Sequence, residues 1–426
     1  MSISFVRGDF FSPQDDFNCD LFKDSVAIIE VNKGIIQELR PFSEDDFGGN
    51  ENILDFSGQA ILPGFLDLHF HWVQKDVMNM PKDNLLTWLE KFTWPNEGKF
   101  AQKEYCHEQA ISFSRELLKR GTFGGACYGS IHEDSVHQAF KHFVGEFFVG
   151  NVLMTMNSPD YLLQEKECAK ELIKSLAEKY KHKYAVTPRF APTVHPDVMR
   201  YGGQCAKNLG SLIQSHLCET KEEIEWVLGI FKEFEGFEDV SSYSDIYHRC
   251  GMLGAQTIMG HGIYLSEEDL NLIKKTNTVI AHCPTSNAAI EQKGLGSGLF
   301  NFQQADRLGI RWGLGTDIGA GPFLSMFDVM ESFVSQNKDV QSATYVKALN
   351  RATLENAKIL GIAEKVGSLT PGKEANFVVV NNGVMGSSAE EYLKCLFQSV
   401  SQREDFESLV STSLYRGDIV YQKPKE

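Results

Sequence analysis

The stretch Ile61-Leu62-Pro63-Gly64-Phe65-Leu66-Asp67-Leu68-His69-Phe70-His71 decides how this chain is read. Pro63-Gly64 ends one apolar run, and a second begins at once and closes on two histidines. Side chains alternate along a strand, so His69 and His71 project to the same face. Two imidazoles side by side at a strand end make a metal clamp. Two hydrogen-bonded core histidines would share the pattern, so the decision rests on the rest of the chain.

Upstream, residues 26–31 and 35–39 read as strands joined by the turn Asn32-Lys33-Gly34, within a first sixty residues of short strands. Residues 46–51, around Gly48-Gly49-Asn50, read as a polar loop. Downstream, strand-like runs at 64–68, 185–188, 213–216, 257–260, 279–282 and 310–315 alternate with helical stretches at 104–120, 165–180, 221–234 and 267–275. This alternation implies parallel β/α units, and roughly eight of them over about 300 residues imply a closed barrel rather than an open sheet. Past residue 361 the chain turns strand-like again, at 375–380 and in a last hairpin at 414–421. The expected class is α/β: a (β/α)8 TIM-like barrel over 63–365, with a small β-sandwich formed from both chain ends, 1–62 and 366–426. Phe231, Phe234 and Phe237 are spaced as a helix face packed on that barrel.

The chain has 426 residues, 41 basic and 57 acidic, for a formal charge of −16, and 42% are hydrophobic. That core material excludes disorder as the dominant state. The acidic balance argues against binding a nucleic-acid backbone, although it does not bear on free bases. No run reaches the ~18 apolar residues of a membrane span. The start, Met1-Ser2-Ile3-Ser4-Phe5, lacks a basic segment followed by an apolar one, so a cytoplasmic protein without a membrane partner is expected. The nine cysteines are scattered without a C-x-x-C pair, which reads as reduced thiols and not as a disulfide framework or a thiolate zinc site.

Further histidines end other strands. His216, in Gln214-Ser215-His216-Leu217-Cys218-Glu219, offers a ligand with a carboxylate three residues on that can move protons. His261 lies between Gly260 and Gly262, which let the backbone approach a neighbour closely. Asp317 closes Gly313-Leu314-Gly315-Thr316-Asp317 and completes an N/O set. His282, at the end of the next strand after His261, reads as structural. His107, His137, His142, His182 and His248 read as surface residues, and the glycine-rich loop 294–298 as a neighbour of the site. If the barrel closes, five groups from four strand ends meet at its C-terminal mouth, the face where barrel enzymes keep their catalysts.

In this order, Pro63-Gly64-x-x-Asp67-x-His69-x-His71, His216-x-x-Glu219, His261-Gly262 and Gly315-Thr316-Asp317 resemble the amidohydrolase superfamily across nearly the whole chain. Within it the segments 85–95, 187–193, 214–219, 261–266 and 281–287 are similar to the guanine deaminase family. The resemblance implies a site for one zinc, with ferrous iron as the alternative, held by His69, His71, His216, His261 and Asp317. It implies contacts to a small purine from Gln74, Arg189, Phe190, Trp72 and Trp94. In the implied reaction metal-activated water attacks C2 of guanine, Glu219 shuttles the proton, His261 and Asp317 orient the water, and xanthine and ammonia result. A homodimer is implied as well. Three departures from the family stand out: the bulky Phe70, Phe123-Gly124-Gly125 in place of a Thr-rich stretch, and His195 near the mouth. A deaminase of another base (cytosine, a pterin, 8-oxoguanine or an adenosine derivative) and an inactive scaffold remain as alternatives. A two-metal cyclic-amide hydrolase would need a lysine at the end of the fourth strand, which here reads Thr187-Pro188-Arg189-Phe190.

Overall fold

The chain opens with β1 (Ile3–Pro13), β2 (Cys19–Glu30), β3 (Ile35–Pro41) and β4 (Ile53–Pro63). The computed structural model describes residues 3–47, 53–381 and 386–424, so the polar loop expected at 46–51 lies outside them beyond Phe47. β1 and β2 run for 11 and 12 residues, longer than the short strands expected. Their turn carries no glycine or proline signal; the Asp15 carboxylate closes it by accepting the backbone N–H groups of Phe17 and Asn18. The β2–β3 hairpin forms where expected, with Gly34 at φ +65° in its turn.

Pro63-Gly64 then hands the chain to the barrel. β5 (Phe65–His71), β6 (Thr122–Tyr128) and β7 (Glu146–Gly150) form a parallel sheet, and β8 (Val152–Leu153) pairs with β9 (Thr187–Pro188). β10 (Ile213–Leu217), β11 (Thr257–His261), β12 (Val279–His282) and β13 (Trp312–Leu314) form a second parallel run. The bridges Val149–Tyr184 and Val186–Ile213 join the pieces. These strands are buried on both faces, which is why they read as short apolar runs without alternation. The helices Lys103–Lys119, Lys166–Tyr180, Lys221–Phe231 and Glu267–Thr276 cover them. The third stops at Phe231, short of the expected 234, and the Phe234 and Phe237 rings fold back to pack on Phe231 at 5.6 and 5.4 Å.

The ring closes between β13 and β5. Asn356, fully buried, donates from Nδ2 to the carbonyls of Leu66 at 2.7 Å and Leu314 at 2.9 Å. Gly313 leaves it room, since a Cβ there would sit 1.9 Å from Asn356 Oδ1. The backbone N–H of Asp317 donates to the carbonyl of His69 at 2.8 Å just above. The architecture is the expected (β/α)8 barrel.

Beyond the barrel, β14 (Phe377–Val380) returns antiparallel to β4, pairing Val379 with Ile61, and β15 (Val410–Tyr415) and β16 (Asp418–Gln422) follow. The seven strands stand in the order β16-β15-β14-β4-β1-β2-β3, so both ends of the chain share one sheet. It encloses its own core, with Val6, Phe10, Ile29, Ile61, Phe377 and Leu414. Among the described residues no helix is long and apolar enough to cross a membrane.

Asn356→Leu is expected to leave two buried carbonyls without a donor at the closing seam, and to lower the unfolding free energy by about 2–4 kcal/mol. Denaturant unfolding against the parent protein checks this.

Candidate active site

β5 delivers His69 and His71 to the mouth of the barrel with ring centroids 5.2 Å apart. The same alternation turns Phe70 outward, onto Phe113 of the helix Lys103–Lys119, and Trp72, which opens the 3-10 turn Trp72–Val77, packs on that ring too. Trp72, expected to contact a purine, therefore packs in the wall among Phe100, Phe113 and Phe143. His69 is seated by the absence of side chains opposite it. A Cβ at Gly260 would lie 2.7 Å from its Cε1, and one at Gly315 would lie 2.8 Å from its backbone nitrogen.

His216 is the penultimate residue of β10, with Nδ1 2.5 Å from the Arg189 carbonyl. A carbonyl can only accept, so Nδ1 carries the proton and the neutral ring offers its Nε2 lone pair to the mouth. That Nε2 lies 3.1 Å from Nε2 of His71. Burial, reinforced by the neighbouring imidazoles, holds His69, His71 and His216 well below the ordinary histidine range, so all three are neutral at pH 7. Both ring nitrogens of His69 and Nδ1 of His71 are buried without a hydrogen-bond partner among the described residues. Asp317 Oδ1 stands 3.4 Å from Nε2 of His69 and 3.6 Å from Nε2 of His71.

Ligand atoms of His69, His71, His216 and Asp317 all lie within 4.8 Å of one another. Three neutral imidazoles and a carboxylate form an N/O set suited to zinc or another first-row divalent ion, and such an ion would satisfy the orphaned nitrogens. His261, the fifth expected ligand, joins a second group with Cys283 and Asp317. Its Nε2 is 4.0 Å from Asp317 Oδ2 and 3.4 Å from Glu219 Oε2, and its Nδ1 is 3.1 Å from Asn287 Nδ2.

Glu219 follows β10 and is buried beside this cluster. Its Oε1 accepts from the Ser297 hydroxyl at 2.9 Å and from Asn287 Nδ2 at 3.4 Å. Burial, and then the Asp317 carboxylate, push it up to about 8. A carboxyl poised near neutrality can both take and give a proton. Ser297 brings the glycine-rich loop to the site, as expected.

A narrow cavity opens over the cluster, and Gln74, Arg189 and Phe190 line it with Trp88 and Leu295. Trp94, the other tryptophan expected to touch a ligand, lies past the π turn Leu89–Thr93, in the apolar cluster behind Phe190 and Leu295. Trp88, on the near side of that turn, takes the wall position. His195 caps the helix Pro196–Leu209 and sits edge-on to Phe234 at 5.2 Å, outside the cavity lining. His282 is buried against the rings of Phe300, Trp312 and Phe333, as the structural reading expects, and burial brings it down to about 3. Glu97 did not stand out in the sequence. It is fully buried and bonds both Arg189 and Gln74. The one available signal was an acidic residue directly after the aromatic segment, at Trp94-Pro95-Asn96-Glu97.

The amidohydrolase family model matches residues 60–409. Guanine deaminase of Escherichia coli (strain K12) is 36% identical over 339 residues, covering 77% of this chain and 74% of its own. Guanine deaminase of Mus musculus is 31% identical over 378 residues, covering 84% and 80%. The chain belongs to the amidohydrolase family, on its guanine deaminase branch. As an amidohydrolase it is a metal-dependent enzyme that hydrolyses C–N bonds. Solved structures agree over the full fold. The E. coli guanine deaminase matches with a TM-score of 0.87 at 28% identity, covering 100% of both chains. Guanine deaminase from C. acetobutylicum, which has guanine bound in its active site, matches with a TM-score of 0.84 at 28% identity, covering 99% of this amidohydrolase and 100% of that chain.

His216→Ala removes a neutral imidazole from the cluster and opens a gap beneath His71. The variant is expected to lose most of its bound divalent metal after dialysis while the parent keeps its ion. Elemental analysis of both proteins checks this.

Proposed function

We propose that this protein is a guanine deaminase, converting guanine and water to xanthine and ammonia with one divalent metal, zinc in the first instance. The observation that carries this reading is the meeting of two unlike surfaces in one cavity: the imidazole–carboxylate cluster with Glu219 below, and Arg189, Gln74 and Phe190 above. A planar heterocycle with carbonyl and ring-nitrogen acceptors suits the upper surface, because Arg189 is donor-only and Phe190 offers an apolar ring face. The guanine-bound relative of the same fold supports the choice of base.

His69, His71, His216 and Asp317 are the residues that would hold the metal, with His261 next to them. Bound there, a divalent ion lowers the pKa of a water toward neutrality and polarises it for attack. The remaining chemistry belongs to the side chains. Glu219 takes the proton as water adds to C2, and passes it to the ring nitrogen next to C2, so that the ring's lost C=N electron pair is balanced by a new N–H. Asp317 and His261 face the same spot and orient the attacking oxygen. When the tetrahedral carbon collapses, the added hydroxyl gives up its proton to Glu219, which hands it to the amino group; the C2–NH2 bond breaks, ammonia leaves, and C2 keeps the oxygen as a carbonyl. Trp88 and Leu295 keep bulk water off the base.

Ammonia release is to be measured with metal-loaded protein on guanine, cytosine, adenine, a pterin and 8-oxoguanine. Turnover confined to guanine is the expected result, and preference for another base would overturn the assignment. Glu219→Gln is expected to keep its metal and to lose about 10²–10⁴-fold in kcat, the usual share of a positioned proton-transfer group. Full turnover by that variant would exclude Glu219 as the shuttle.

A further inference from the structure

We propose that Glu97, which does not itself line the cavity, is a positioning residue that fixes which edge of the base the pocket accepts. The proposal rests on the guanine reading and deepens it. Glu97 lies in the short helix Trp94–Gly98 with no exposed surface. Its Oε1 accepts Nε2 of Gln74 at 2.8 Å and Nη1 of Arg189 at 2.8 Å, while Oε2 accepts the same Nη1 at 2.6 Å. The two side chains that meet the base are thus tied to one buried carboxylate behind them.

The chemistry of that carboxylate sets two orientations at once. A glutamine amide can face a pocket with either end, but a carboxylate accepts only, so the Gln74 NH2 must turn to Glu97. Its oxygen is then held against Gly319, where a Cβ would come within 2.3 Å of it. Arg189, anchored through Nη1, has its guanidinium plane fixed and its remaining N–H groups free to donate. Among the described residues its Nε and Nη2 donate to no side chain or carbonyl. The lone negative charge of Glu97 also pairs a guanidinium that would otherwise be buried alone.

The resulting recognition edge is directional, with donors from Arg189 and an acceptor oxygen from Gln74. It complements a base that shows acceptors on one side and an N–H on the other. Guanine carries the carbonyl O6 and N7 as adjacent acceptors together with ring N–H donors. 2-Aminopurine keeps the 2-amino group and N7 but lacks O6. If Glu97 imposes the directional edge, loosening it costs more with guanine than with 2-aminopurine. If Glu97 only supports the wall of the site, both ligands suffer alike.

The test uses full-length, metal-loaded protein and the variants Glu97→Gln and Glu97→Asp, with metal content and thermal unfolding recorded for each. KM and kcat are measured for guanine, and Ki for 2-aminopurine as its competitor. Glu97→Gln can give a hydrogen to Arg189's neighbour as well as accept one, so it no longer dictates the Gln74 orientation. Its guanine KM is expected to rise at least about tenfold, the loss of one charge-assisted hydrogen bond, with kcat within about threefold of the parent and the 2-aminopurine Ki within about threefold. Glu97→Asp keeps the charge but cannot reach both partners, and is expected to show the same selective rise; it carries the comparison if Glu97→Gln does not fold. KM and Ki rising in parallel, a loss confined to kcat, or no change would overturn the role of Glu97. A parent protein without guanine turnover would instead overturn the substrate reading beneath it.

Discussion

Nε2 of His71 and Nε2 of His216 face each other across 3.1 Å at the mouth of the barrel. The His71 ring is buried, His216 is half-buried, both are neutral, and a single proton can bridge that pair. Among the described residues it leaves Nδ1 of His71 and both nitrogens of His69 without a hydrogen-bond partner, each at a cost of about 1–3 kcal/mol. Asp317 adds a buried carboxylate, raised above the ordinary aspartate range by burial. A divalent cation answers all of these deficits together, because it takes lone pairs from several imidazoles and neutralises the carboxylate. The barrel, its closing seam and the glycines around His69 all serve to hold this cluster together.

Backbone strain gathers at the same place. Cys218, His261 and Asp317 have φ of +51°, +75° and +49°, conformations that cost non-glycine residues about 1–3 kcal/mol each. His261 ends its barrel strand, and Cys218 and Asp317 lie just past the ends of theirs, where the chain turns sharply at the mouth. Hydrogen bonds hold the turns: Gly262 N–H to the Leu217 carbonyl at 2.9 Å, Ile263 N–H to that of Cys218 at 3.0 Å, and Asp317 N–H to that of His69 at 2.8 Å. The neighbouring strands therefore maintain geometry that the site residues would not adopt unaided.

Much of this was legible in the sequence because local periodicity carries it. The period of two placed His69 and His71 on one face, and the alternation of apolar runs with helical stretches showed the barrel that brings His216, His261 and Asp317 to them. Trp72, a contact implied by the resemblance, opens the 3-10 turn that follows β5 and packs against Phe100, Phe113 and Phe143 instead. Trp94 was misplaced because a π turn intervenes, and nothing in Leu89–Thr93 announces one. Glu97 was not legible at all. Its partners stand 23 and 92 residues away, and only the closed fold brings the three together. The long β1 and β2 strands were missed for a comparable reason, since an aspartate side chain makes their turn without the usual glycine or proline.

The central claim is that the barrel mouth is built to hold one divalent ion through nitrogen and oxygen donors. X-ray absorption spectroscopy on zinc-loaded protein, with the metal-to-chain ratio from elemental analysis, tests it most directly. The account predicts one ion per chain, with imidazole nitrogens and carboxylate oxygen at about 2.0–2.2 Å and no sulfur in the shell. A sulfur neighbour at about 2.3 Å would place Cys283 among the ligands, and two ions per chain or none would contradict the account outright.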